Sequence, residues 1–166
     1  RKLNTNPAWS PDGRSIGYTS WETGFPDVVV SHLFEGHMSH PAAGNSREQN
    51  FLPAFSPDGR RLAFNSSREN NNDLYVVNVD GSGLRRLTNN PAIDTSPTWS
   101  PNSQQIAFTS DRDGNSEVYV MEADGSNPVR LTDDPLRGDA FPSWSPDGTR
   151  LVFHALRESK WEIWAI

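Results

Sequence analysis

The chain has 166 residues, is 34% hydrophobic, holds 12 glycines, 13 prolines and no cysteine, and carries a formal net charge of −6. That length supports one domain with a core. The missing thiols exclude a disulfide framework or a thiolate zinc site, and an acidic balance without a basic run argues against nucleic acid or an anionic membrane as partner.

No stretch approaches the roughly 18 apolar residues of a membrane helix. The chain opens on Arg1 inside a repeat, so we expect a processed or excised piece whose targeting signal is not present here.

In chain order, the first recognisable unit is Pro7-Ala8-Trp9-Ser10-Pro11-Asp12-Gly13. It returns as Pro53-Ala54-Phe55-Ser56-Pro57-Asp58-Gly59, as Pro97-Thr98-Trp99-Ser100-Pro101-Asn102-Ser103 and as Pro142-Ser143-Trp144-Ser145-Pro146-Asp147-Gly148, at intervals of 44 to 46 residues. A period of this size, with short strands inside each unit, is that of propeller blades and not of helical solenoids. The third unit is the clearest. A short strand at Thr98-Trp99-Ser100 precedes alternating segments over 104–110 and 117–123, and a last strand over 128–132 ends it. Period-2 segments bounded by turn residues predict a four-stranded antiparallel meander.

The turns carry their own mechanism. In Ser-Pro-Asp-Gly, Pro fixes φ and Gly accepts the left-handed conformation that closes the hairpin. Asn102-Ser103 departs from this, so it is expected to be the weakest of the four turns. Asp80-Gly81-Ser82 and Asp124-Gly125-Ser126 predict a further hairpin in blades two and three.

These units predict an all-β chain, a single β-propeller domain over 1–166 with four four-stranded antiparallel blades at about 7–42, 53–88, 97–132 and 142–166. The fourth lacks its last strand at the C-terminus, while Arg1-Lys2-Leu3-Asn4 matches the last strands Arg86-Leu87-Thr88-Asn89 and Arg130-Leu131-Thr132-Asp133. The expectation is therefore a last blade closed by strands from both termini, which would leave no open blade surface. The competing reading is part of a larger ring, or half of an eight-bladed ring made by two chains; the chain is thus a monomer, or a dimer if blades assemble between chains.

The repeat Pro-x-Trp-Ser-Pro-Asp-Gly-x-x-Leu-Ala-Phe-x-Ser-x-Arg, followed by Tyr-Val, Asp-Gly-Ser and Arg-Leu-Thr, resembles that of TolB-like, WD-repeat-like β-propellers. Blades two and three match nearly throughout, blade four over three strands and blade one at its start. The resemblance implies a non-catalytic module that binds protein or peptide partners, with a periplasmic or extracellular setting favoured over a cytoplasmic one. It equally implies an alternative, since such blades occur as substrate-gating propellers of prolyl-oligopeptidase-like peptidases. A carbohydrate-binding or carbohydrate-active propeller is a third reading.

In such blades the Ser-Pro-Asp-Gly and Asp-Gly-Ser hairpins share one face, and the loops between strands two and three lie on the other. The second face varies, and variable loops on a rigid scaffold are where binding sits. Three residues before each repeat Pro stand Asn4, Asn50, Asp94 and Asp139, a ring of oxygen-bearing side chains at the channel mouth. No cofactor is otherwise expected, but Asp94 and Asp139 are candidate ligands for Ca²⁺ or another cation in the central channel. Arg68, Arg112 and Arg157 recur on neighbouring loops, and Asp–Arg pairing accounts for both sets without a ligand. Blade one departs most: Trp21, Glu22 and Phe25 occupy its second loop, with Trp161 on the corresponding loop of blade four, as candidate peptide or sugar contacts.

His32, His37 and His40 fall on strand three, its hairpin and strand four, and are not expected to converge on a metal. No Gly-x-Ser-x-Gly elbow occurs, and His154 stands alone in a strand-two position equivalent to Asn65 and Thr109, so no nucleophile with its base is assembled. No catalytic residue is assigned, and the chain is expected not to be an enzyme.

Overall fold

The computed structural model describes residues 3–42, 48–134 and 136–166, and every regular element within them is a β-strand. Blade one consists of β1 (Asn4–Trp9), β2 (Ser15–Ser20), β3 (Asp27–His32) and β4 (His37–Ser39). Blade two follows as β5 (Asn50–Phe55), β6 (Arg61–Ser66), β7 (Asp73–Asn78) and β8 (Arg85–Arg86), and blade three as β9 (Asp94–Trp99), β10 (Gln105–Ser110), β11 (Glu117–Glu122) and β12 (Val129–Arg130). Blade four has β13 (Asp139–Trp144), β14 (Leu151–Arg157) and β15 (Lys160–Ala165). Each sheet is an antiparallel meander in sequence order.

The core lies between sheets. Because successive side chains point to opposite faces of a strand, a middle blade offers one apolar set backward and another forward. Val28 and Val30 of blade one pack with Leu62, Phe64, Tyr75 and Val77 of blade two. The forward set Ala63, Leu74 and Val76 then meets Ile106, Phe108, Tyr119 and Met121 of blade three. Ala107, Val118 and Val120 close the series against Leu151, Phe153 and Ala155 of blade four.

A polar clasp accompanies each of these interfaces. The residue before each repeat Pro has positive φ: Asn6 at 53°, Leu52 at 55°, Ser96 at 55° and Phe141 at 55°. Each lies where the β-ladder register shifts, and a bulge takes its residue's N–H out of the ladder. The preceding blade supplies the acceptor: Leu52 N donates to Thr19 Oγ1 at 3.1 Å, Ser96 N to Asn65 Oδ1 at 3.2 Å and Phe141 N to Thr109 Oγ1 at 3.0 Å. His154 holds the same position in blade four, where it is exposed and tilts against Phe141 and Trp161.

The expected closure by both termini does not appear among the described residues. Blade four has three strands, and the N-terminal segment does not supply a fourth among the described residues. Arg1 and Lys2 lie outside the described residues. The Leu3 carbonyl accepts from Trp21 N, and Asn4 pairs with Ser20, so Leu3 and Asn4 lie along the first strand of blade one and not at an outer edge. The first strands pack in an open row, β1 on β5, β5 on β9 and β9 on β13. Both ends of the row bare apolar side chains, Trp9 and Met38 on blade one, and Val152, Trp161 and Ile163 on blade four.

The four repeat turns share one hydrogen-bond pattern. In the last, Ser145 Oγ donates to Asp147 Oδ1 at 2.6 Å, Thr149 N donates to the same oxygen at 3.0 Å, and Arg150 N donates to Ser145 Oγ. The Ser145 hydroxyl, then the Thr149 backbone, lower the Asp147 pKa from 3.8 to about 2. A depressed carboxylate stabilises the folded state above its unfolded pKa and loses that contribution as pH falls through the folded value. Asp147→Asn is therefore expected to lower the urea midpoint at pH 6, with the gap from wild type closing between pH 4 and 2; a gap independent of pH would refute the assignment.

Ser103 takes φ 60° where the other repeat turns carry Gly13, Gly59 and Gly148 at 68°, 71° and 72°. The left-handed region costs a non-glycine residue about 1–2 kcal/mol. Part of that is offset across the blade junction, since Asp58 N donates to Ser103 Oγ at 3.1 Å and Arg61 Nη2 to Ser103 O at 3.0 Å. Ser103→Ala, which keeps the strain and loses the hydroxyl bond, is expected to destabilise by about 1 kcal/mol. Ser103→Gly is expected to match or exceed wild type; chemical denaturation of both variants checks the order.

Candidate functional site

The four positions three residues before each repeat Pro open the first strand of their blades; Asn4, Asn50 and Asp94 pair with the last residue of the second strand, Ser20, Ser66 and Ser110, and Asp139 pairs with Ala155, two residues before the end of β14. In blades one to three that partner is a serine. Its hydroxyl accepts the backbone N–H two residues on, from Glu22, Arg68 or Arg112. In blades two and three it also accepts Nε of the arginine, at 2.9 Å for Arg68 and 2.8 Å for Arg112.

That anchor aims each guanidinium back at the first strand. Arg68 Nη2 donates to Asn50 Oδ1 at 3.1 Å, and Arg112 Nη2 to Asp94 Oδ1 at 2.9 Å. In blade four Ala155 offers no hydroxyl, and Arg157 makes a two-pronged contact with Asp139 at 2.9 and 3.3 Å. That contact comes first among the causes that raise the Arg157 pKa. Asp94 and Asp139 are both buried, and Asp94 also accepts from Asn90 Nδ2 at 2.7 Å. The guanidinium groups rest on aromatic faces: Arg68 over Tyr75, Arg112 over Tyr119 and Arg157 over Trp164, at 4.7, 4.6 and 4.6 Å from the ring centroid.

Blade one differs. Glu22 replaces the arginine and keeps the backbone bond to Ser20, while the first-strand partner is the neutral, exposed Asn4. Trp21 is half-buried, its ring 6.3 Å from that of Phe51, and Phe25 is exposed. Trp161 was expected on a loop, but it lies in β15 opposite Leu156. β14 extends through Arg157, so only Glu158 and Ser159 remain as a turn, both with positive φ, the conformation of a tight two-residue hairpin. Trp161 thus belongs to the bare end face of blade four, and Trp21 and Phe25 belong to the other end of the row.

Sequence reasoning missed a buried acid at the start of the third strand in each of blades two and three. Asp73 and Glu117 open strand three and are fully buried. Arg86 Nη2 meets Asp73 Oδ2 at 2.6 Å, and Arg130 Nη2 meets Glu117 Oε1 at 2.9 Å, with Thr88 and Thr132 on the same carboxylates. Burial outweighs Arg86 and raises the Asp73 pKa. Blade one uses His40 for this arginine, its Nδ1 3.1 Å from Asp27 Oδ2. The signal was legible: Asp27, Asp73, Glu117 and Glu162 each directly precede a run of apolar residues.

Beside Asp139 and Arg157 an open groove of about 690 Å³ runs between blades three and four. Asp133, Asp134, Glu158 and Glu162 line it with Arg137 and Trp164.

The profile of PD40, the TolB beta propeller domain, matches residues 1–166. The chain belongs to the TolB beta propeller domain family. The Tol-Pal system protein TolB of Anaeromyxobacter dehalogenans (strain 2CP-C) is 45% identical over 97 residues, 58% of this chain and 21% of that protein. TolB from Acinetobacter baumannii superposes with a TM-score of 0.86 at 27% identity, over 99% of this chain and 41% of that one. The matched segment therefore spans about a fifth of the curated relative's length. A puromycin-hydrolyzing peptidase from Mycobacterium tuberculosis, at 18% identity and a TM-score of 0.76, covers 99% of this chain and 29% of its own; it shares the fold.

Proposed function

We propose that this chain is a non-catalytic propeller module of four blades that binds a protein or peptide partner in the periplasm or another extracytoplasmic space, as a TolB-like component. The observation that carries the reading is the open groove of about 690 Å³ beside Asp139 and Arg157. Its rim of Asp133, Asp134, Glu158 and Glu162 suits a partner segment bearing Lys or Arg, and Trp164 offers an apolar and stacking surface. Membership of the TolB family and the likeness to Tol-Pal system proteins support protein recognition over catalysis.

In this reading Asn50, Asp94 and Asp139 are structural partners of Arg68, Arg112 and Arg157, and no cation sits among them. The arginine contacts at 2.9 to 3.1 Å support that assignment. Ca²⁺ is then expected to leave the melting temperature unchanged, and a saturable rise that disappears in Asp139→Asn would reverse it. For the groove, peptides selected on the intact chain from a random display library are expected to be cationic and to lose binding in Glu158→Lys/Glu162→Lys. Asp12→Lys, on the repeat-turn face, should leave binding intact; loss only with Asp12→Lys would move the site to that face.

A further inference from the structure

We propose that the hairpin between β3 and β4 of blade one binds a late transition-metal dication such as Zn²⁺ through His32, Glu35 and His37. The first observation is a local break in the repeat. Blades two and three turn here through Asp80-Gly81-Ser82-Gly83 and Asp124-Gly125-Ser126, whose aspartates accept from the serine backbone and hydroxyl. Blade one instead carries Leu33-Phe34-Glu35-Gly36, flanked by two histidines. This turn keeps the backbone bond from Gly36 N to His32 O but has no Asp–Ser pair, and it carries three metal-ligating side chains.

The second observation is convergence. His32 and His37 are paired directly across the hairpin, and their rings stack with centroids 4.4 Å apart and planes 22° apart. Glu35 Oε2 lies 3.5 Å from His37 Nδ1. One donor atom from each of the three lies within 4.8 Å of the others, the single such group among the described residues. His40, by contrast, is engaged with Asp27. The separation of the histidines along the sequence hid this, because cross-strand register and not chain distance brings the rings together.

Donor type and freedom suit the ion. Two imidazole nitrogens and a carboxylate oxygen form a set that zinc uses with an open fourth position, at about 2.0–2.2 Å from the metal, which sets donors about 3.4 Å apart. His37 and Glu35 are 55% and 71% exposed, so closing to that spacing needs only rotation of solvated side chains. His32 is steadied on both sides, by Ser15 Oγ at 3.2 Å from Nδ1 and Ser39 Oγ at 3.0 Å from Nε2. One serine bond would give way to the metal, and the other would orient the ring, as outer-sphere partners of metal-bound histidines do.

The test is isothermal titration of the chelator-treated full chain with Zn²⁺. One equivalent is expected to bind, and His37→Ala and Glu35→Gln should each weaken it roughly tenfold or more, with His40→Ala unchanged. Melting curves without metal verify that each variant is folded, and Co²⁺ in place of Zn²⁺ should give the visible band of a four-coordinate site. Absence of saturable binding, full-strength binding in either His37→Ala or Glu35→Gln, or loss in His40→Ala overturns the proposal.

Discussion

Arg112→Ala is expected to lower stability by about 3 kcal/mol, because it strands the Asp94 carboxylate without its cation in a site closed to water. Asp94 is fully buried, and Arg112 supplies its charged donor at 2.9 Å while covering the Phe108 and Tyr119 rings. The figure sits at the low end for a broken buried pair, since Asn90 still donates to the other carboxylate oxygen and Arg112 is partly exposed. Adding Asp94→Asn should restore about 1–2 kcal/mol by removing the stranded charge. Urea denaturation of the single and double variants measures both steps. A loss below 1 kcal/mol, or no recovery in the double variant, would show that the pair does not hold blade three together and would return Asp94 to the pool of ligand-binding groups.

The second large effect contrasts a covered blade face with a bare one. Phe108→Ala should cost about 3–5 kcal/mol, since the ring is fully buried between blades two and three and its removal leaves a cavity. Ile163→Ala should cost under about 1 kcal/mol, although the strand and residue class are those of the core, because Ile163 is 67% exposed on the end face of blade four. Thermal or chemical denaturation of the two variants side by side gives the comparison. A cost for Ile163→Ala approaching that of Phe108→Ala would mean that another surface covers this face in solution.

The contrast also explains which parts of the fold were legible. Blade three could be laid out from Trp99, Ile106, Phe108, Val118 and Val120, because period-2 alternation and turn chemistry are local properties of the chain. Shared-blade closure failed for the opposite reason. Arg1 to Asn4 has the composition of a last strand, yet its described residues lie on blade one, Asn4 paired with Ser20 and the Leu3 carbonyl bonded to Trp21 N. Composition names a strand type; it does not choose the neighbour. The same limit hid the Glu158-Ser159 turn, since the register of Arg157 against Lys160, and not the residues themselves, pulled Trp161 out of its loop.

The candidate site divides along the same line. Spacing alone picked out Asn50, Asp94 and Asp139 with Arg68, Arg112 and Arg157, because a repeat returns the same side chain to the same place in every blade. What it did not yield was the clasp from Thr19, Asn65 and Thr109 to the bulged backbone of the next blade, or the meeting of His32 with His37 and Glu35.

The sequence by itself determined the repeat, the antiparallel meanders, the Ser-Pro-Asp-Gly turns and the recurrence of Asn50, Asp94 and Asp139 with Arg68, Arg112 and Arg157, all consequences of short-range periodicity. Only the tertiary structure decided which strand lies beside which, that the row of blades is open among the described residues with apolar faces at both ends, and which dispersed histidines meet. Those outcomes depend on register and inter-blade packing, which arise between segments far apart in the chain and leave no periodic trace within either one.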